Sequence, residues 1–175
     1  SVPSHEGFGS GTQLGMSVSQ ALAFHYSEPN QLSVEELAKR VSRGARSSLG
    51  IHGFMKGGFL VDGGKKDSTT LGVLVARHPF PDDWRIIIAR SDHEKGISGQ
   101  KEAEIFRQLK PMPVQINHRL CRIALMDVLP SLVVSDFSSF SQSLYEFGSL
   151  VGDFFSEAQG GRFATPLMAE WVGFM

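Results

Sequence analysis

The residues best suited to chemistry lie near the start of the chain. His5 to Ser17 reads HEGFGSGTQLGMS, with four glycines, two serines and a threonine in thirteen residues. Glycine leaves room for main-chain N–H groups to turn inward, and a following helix offers unpaired N–H groups and a positive dipole end. That combination can hold an anion; the same composition also makes a plain turn between two elements. A Walker A loop is excluded, because its Gly-Lys-Ser/Thr ending needs a lysine that is absent here. A Rossmann G-x-G-x-x-G is excluded too, since Gly7 and Gly9 are followed by Thr12 where the third glycine belongs.

A helix end favours an anion by about 0.3–1 kcal/mol, and by roughly 2 kcal/mol when partly buried. A diphosphate carries several charges, so cations must help. Lys39, Arg40, Arg43, Arg46 and Lys56 follow, and Arg43 and Arg46 flank Gly44 at the start of a second Gly/Ser stretch, RGARSSLGIHGFMKGG. The arginine fork matches phosphate or carboxylate oxygens. Taken singly, each of these cations also fits a solvated surface role. His5 beside the first loop and His52 in the second are the histidines closest in sequence to this chemistry. A second candidate wall is DHEKGISGQKE, where His93, Glu94, Lys95, Ser98 and Glu102 cluster around two glycines. Glu102 or Glu104 could bridge a metal there, or simply sit in a solvated helix start. No histidine pair has zinc spacing.

The elements that must position these groups are legible in outline. Leu14, Val18, Ala21 and Leu22 recur at helical spacing from Thr12 to Tyr26 and predict a helix there. SVEE places Ser33 and Glu36 as a capping box, followed by an apolar face of Val34, Leu37, Ala38 and Val41. GGFLVDGG (57–64) predicts a short strand bracketed by glycine pairs, KKDST a linker, and TLGVLVARH and WRIIIARS two β-rich runs separated by the turn PFPDD. Helices are predicted over QKEAEIFRQL, and over QINHRLCRIALMDVL with Pro130 as its end, Cys121 being read as core. After Asp136, the residues Phe137, Phe140, Leu144, Phe147, Val151 and Phe154 alternate steps of three and four, a core seam of about five turns. Gly148 and Gly152 could admit another backbone beside it. QGGRFATP breaks this helix, and a last one starts near Pro166. Strands followed by a helical cluster indicate an α+β protein.

Composition sets the outer limits. The chain has 175 residues, 41% hydrophobic and 20% charged, with a net charge of −1, an ordinary globular balance that argues against broad nucleic-acid or membrane attraction. Any anion site must therefore be local. A single cysteine rules out a disulfide framework or a cysteine zinc cluster. No apolar run is long enough to span a membrane, and a cytoplasmic setting is expected. Both ends look cut, so the chain reads as an internal piece of a longer protein.

GFGSGTQ (7–13) is similar to the Gly-Leu-Gly-Ser-Ser-Ala phosphate loop of the GHMP superfamily of small-molecule kinases. In detail the chain resembles a non-kinase branch, the β-ribofuranosylaminobenzene 5′-phosphate synthases of tetrahydromethanopterin biosynthesis. The resemblance rests on HEGFGSGTQL, then SRGARSSLGIHGFMKGGFLVDGG, then KGISGQKEAEIFRQL, in that order, with GRFATPLMAEWV fitting the same branch. It implies a GHMP-kinase-like two-layer α+β fold. Residues 1–66 would belong to the N-terminal domain (ribosomal S5 domain 2-like) with its phosphate loop, and 67–175 to a ferredoxin-like C-terminal domain.

The implied reaction condenses phosphoribosyl diphosphate with 4-aminobenzoate or 4-hydroxybenzoate and releases CO2 and pyrophosphate. The resemblance assigns Gly7, Gly9, Ser10, Gly11, Thr12, Gln13, Arg43, Arg46 and Ser47 to substrate phosphate, with Mg2+ or another divalent cation as cofactor. It leaves the catalytic side chains unassigned, and a homodimer is compatible with it. GHMP kinases commonly carry Ser-Gly-x-Asp ahead of a Gly-Gly strand; counted back from Gly57 and Gly58, that Asp position falls on Gly50. A missing proton acceptor suits a reaction whose nucleophile is an electron-rich ring. A GHMP small-molecule kinase, and a non-catalytic interaction fragment, are the alternatives.

Overall fold

The computed structural model describes residues 7–26, 32–45, 47–65, 67, 70–89, 104–105, 107–163 and 165–173. The chain divides into two compact units, Ser1–Phe80 and Pro81–Met175.

The first unit contains α1 (Ser10–His25), α2 (Val34–Arg40), α3 (Leu49–Lys56), β1 (Phe59–Asp62) and β2 (Leu74–His78). The strands pair antiparallel, Phe59 opposite His78 and Val61 opposite Ala76, with an irregularity between Val61 and Asp62. Through this pairing β2 completes, within the first unit, the hairpin begun by β1. The capping box of α2 forms as read: the Ser33 hydroxyl accepts from the Glu36 N–H at 3.2 Å, and the Glu36 carboxylate accepts from the Ser33 N–H at 2.8 Å.

Met16, Leu37, Ala38 and Ile51 form the core of this unit, with Leu32, Val34, Val41, Phe54 and Leu71 packed against them. The helix read from Leu14, Val18, Ala21 and Leu22 forms as α1, but these residues do not mark its buried side. Leu14 is 68% exposed and Val18 and Leu22 about half exposed, while Met16 and Ser19 are buried. Small residues explain the reversal. Gly11, Gly15 and Ser19 follow one another at steps of four, and a Cβ added to Gly15 would lie only 3.4 Å from Val41. The chain after α2 packs where α1 has least side chain, so close approach outweighs the leucine count.

In the second unit, α4 (Val114–Arg122) runs through a π-helical turn (Ile123–Val128) into α5 (Leu129–Val133), followed by α6 (Phe137–Gln159) and α7 (Pro166–Gly173). Leu120, Ile123, Val128, Leu132 and Phe140 are its buried hydrophobics, and Arg119 of α4 donates to Glu146 of α6 at 2.9 Å. Pro130 does not end the helix. The Leu129 N–H reaches back five residues to the Ala124 carbonyl. That wider turn gives room to a ring that would crowd the carbonyl four residues earlier in a regular α-helix. The helix stops instead at Ser135, in the left-handed region at φ 57.

The long helix α6 starts and ends as expected, with the Asp136 carboxylate accepting from the Ser139 N–H at 3.1 Å and Gly160 at φ 84 closing it. Its seam is only partly core: Phe140 is buried, whereas Phe137 and Leu144 are 57% and 42% exposed. A Cβ on Gly152 would lie 2.6 Å from the Arg162 carbonyl, so this glycine does admit another backbone; Gly148 meets nothing. Cys121 is exposed rather than core.

WRIIIARS forms no ladder among the described residues, and Ile86, Ile87 and Ile88 are exposed. A strand needs a second one to take its main-chain groups, and none of the described residues supplies it here.

Candidate functional site

The glycine loop enters α1 through two left-handed residues, Gly7 at φ 81 and Gly9 at φ 68. The Gly9 carbonyl then accepts from the N–H groups of both Thr12 and Gln13, at 2.9 and 3.0 Å. The main-chain donors a ligand could use therefore lie ahead of Thr12, and Thr12 can offer its hydroxyl but not its amide. The Gln13 side-chain amide donates to the Gly50 carbonyl at 2.7 Å. It braces the start of α1 against the start of α3.

Three segments meet at this corner. A Cβ on Gly11 would lie 3.3 Å from the Arg43 guanidinium, and one on Gly50 would lie 3.5 Å from the Thr12 methyl. Arg43 and the first turn of α1 are thus brought together. The end of α2 aims Arg43. The Ser42 N–H donates to the Lys39 carbonyl and the Arg43 N–H to the Ala38 carbonyl, at 3.1 and 2.9 Å. This is a Schellman closure in which Ser42, at φ 53, takes the place usual for glycine.

The other expected residues divide. Ser47 is exposed, and its hydroxyl accepts weakly from the Leu49 N–H at 3.4 Å, a local turn at the head of α3. Its neighbour Ser48 is fully buried, with its hydroxyl accepting from the Gly72 N–H at 2.7 Å and its N–H donating to the Asp62 carboxylate at 3.2 Å. The second Asp62 oxygen accepts from the Gly64 N–H at 2.8 Å. His52 bonds the Gly72 carbonyl through Nε2 at 2.7 Å, and so anchors α3 to the hairpin. Lys56 lies at the opposite end of α3 from Gly50. Arg46, His5, His93, Glu94, Lys95, Ser98 and Glu102 fall outside the described residues.

Glu104 accepts from Arg107 at 2.8 Å and from Gln108 at 2.9 Å, an exposed pairing along one helix turn. No group of three His, Cys, Asp or Glu suited to a metal ion occurs among the described residues. The Asp62 oxygens each accept one main-chain N–H, from Ser48 and from Gly64. Sequence reading missed Ser48, Asp62 and Lys65. Asp-Gly-Gly after a strand is an Asx-turn signal that marks Asp62; the partners of Ser48 and Lys65 are too distant in sequence to leave one. The Arg43 guanidinium therefore lies beside the first turn of α1, and a cation at a helix start favours negative charge there.

No family model matches the chain. It is 35% identical over 156 residues to the beta-ribofuranosylphenol 5′-phosphate synthase of Methanothermobacter thermautotrophicus, covering 82% of this chain and 47% of that protein. The synthases of the same name from Methanocaldococcus jannaschii and Archaeoglobus fulgidus are 33% and 32% identical. Each alignment takes in 80% of this chain, and 46% and 47% of those proteins. Over about four-fifths of its length the chain is similar to these synthases, and it spans about half the length of the relatives it matches. This similarity agrees with the resemblance carried by the glycine loop and the Arg43 stretch. None of the described helices is long and apolar enough to cross a membrane.

Proposed function

We propose that the protein carrying this chain transfers a phosphoribosyl group to an aromatic acid, with loss of CO2. The ring carbon bearing the carboxylate attacks carbon 1 of phosphoribosyl diphosphate, and the bond from that carbon to the diphosphate breaks. The bond to the carboxylate then breaks, CO2 departs, and its electron pair restores the aromatic ring. No proton need be removed to create the nucleophile. The work left to the protein is to hold the diphosphate and stabilise the charge that builds on it.

The observation that carries this reading is the corner where Arg43 meets the first turn of α1 beside Gly9. In this reading the N–H groups before Thr12, the Ser10 and Thr12 hydroxyls and the Arg43 guanidinium take the diphosphate, with Arg46 and Ser47 at the same loop. Position 50 offers no carboxylate, and the space beside it is occupied by Thr12 and Gln13; this favours a reaction without a side-chain base over a kinase. The word phenol in the relatives' names favours 4-hydroxybenzoate over 4-aminobenzoate as acceptor. Mg2+ or another divalent cation would offset the charge of the diphosphate in this reading. A GHMP-like fold and a cytoplasmic setting belong to the same reading.

The test is chemical. Carboxyl-labelled 4-hydroxybenzoate, given to the whole protein with Mg2+, should release labelled CO2 only when phosphoribosyl diphosphate is added. ATP consumption with no CO2 release would support a kinase instead.

A further inference from the structure

We propose that Lys65 is a positioning residue for this site: it fixes the two peptide groups that follow Gly44, just beyond Arg43, and so holds the guanidinium against the first turn of α1. The inference rests on the reading above, in which the diphosphate binds at that turn. Lys65 lies past β1, in a stretch whose sequence reads as a linker. Its half-buried ammonium donates to the Gly44 carbonyl, and to the Ala45 carbonyl at 3.1 Å. An ammonium has three donors and no acceptor, so two successive carbonyls are drawn to one side of the loop. The peptide is planar and trans, which turns the Ala45 N–H to the opposite side.

Restraint matters there because of the residue at the centre of the loop. Gly44 sits at φ 95, and a side chain in its place would run into Leu71 and Ile51. Glycine is thus imposed by packing, and glycine has the least conformational preference of any residue. Ahead of it, Arg43 is fixed by its N–H bond to the Ala38 carbonyl at 2.9 Å. Behind it, the Lys65 bonds supply the corresponding restraint. With both sides fixed, the guanidinium stays beside Gly11; with one side released, Arg43 is free to swing on a glycine hinge.

Calorimetric titration of the whole protein tests this, using phosphoribosyl diphosphate and 4-hydroxybenzoate as separate probes. Lys65→Met should weaken phosphoribosyl diphosphate roughly tenfold, the scale of one bond to a charged group, and change acceptor affinity by less than about twofold. Lys65→Arg should recover most of the loss, because a guanidinium can reach the same two carbonyls. In an Arg43→Ala background, Lys65→Met should cost little more, since it acts through Arg43. Unaltered binding by Lys65→Met overturns the inference, as does a loss undiminished in the Arg43→Ala background. An equal loss for both probes that Lys65→Arg does not repair also overturns it, by making Lys65 a general structural support. Wild-type protein that fails to bind phosphoribosyl diphosphate would overturn the functional reading itself.

Discussion

Arg43 and Gly44 carry the account at the scale of single residues. Removing the Arg43 side chain deletes hydrogen bonds to a charged group, worth about 1.5–3 kcal/mol. Arg43→Ala should therefore raise the dissociation constant for phosphoribosyl diphosphate roughly 10- to 100-fold while leaving 4-hydroxybenzoate nearly unaffected, as read by titration of each. Gly44→Ala should be worse than its size suggests. It places a Cβ at φ 95 against Leu71 and Ile51, so a loss of about 1–3 kcal/mol should appear in denaturant unfolding together with weakened substrate binding. The glycines and Arg43 were legible because their types alone suggest anion chemistry. Gln13 was not: its amide is committed to Gly50, 37 residues away, and no local pattern announces such a partner. Lys65 was hidden for the same reason.

Helices two and six illustrate what caps contribute at the scale of elements. The Asp136 carboxyl is held below its ordinary value of 3.8 by the hydrogen bonds from Ser139, and Glu36 below 4.5 by those from Ser33. A carboxylate depressed in the folded state stabilises above its ordinary pKa, and that contribution fades as pH falls through the lower folded value. The first turns of α2 and α6 should thus lose amide-exchange protection on acidification below about pH 4, earlier than the helix interiors. Asp136→Asn, which caps without titrating, should remove that pH dependence from the start of α6. Capping boxes and breaks were readable from local sequence, as were both strands of the hairpin. The buried side of α1 was not, because Gly11, Gly15 and Ser19 decided it by closeness of approach while Leu14, Val18 and Leu22 dominated the pattern. Pro130 misled for a related reason: its effect depends on the π-helical turn ahead of it, and residue type does not reveal that turn.

The first unit is organised so that a single small core serves the site. Met16 from α1, Leu37 and Ala38 from α2 and Ile51 from α3 pack together, and each of these helices also brings one part of the anion corner. Met16→Ala should cost about 2–5 kcal/mol in denaturant unfolding and loosen the corner with it, weakening phosphoribosyl diphosphate even though Met16 cannot touch it. The kinship to three archaeal synthases was legible in the ordered glycine, arginine and serine motifs, which local spacing preserves. The most direct measurement is a crystal structure of the whole protein with phosphoribosyl diphosphate bound. The account predicts the diphosphate on the N–H groups ahead of Thr12 with the Arg43 guanidinium in contact; a diphosphate bound elsewhere, with that corner left to solvent, would contradict it.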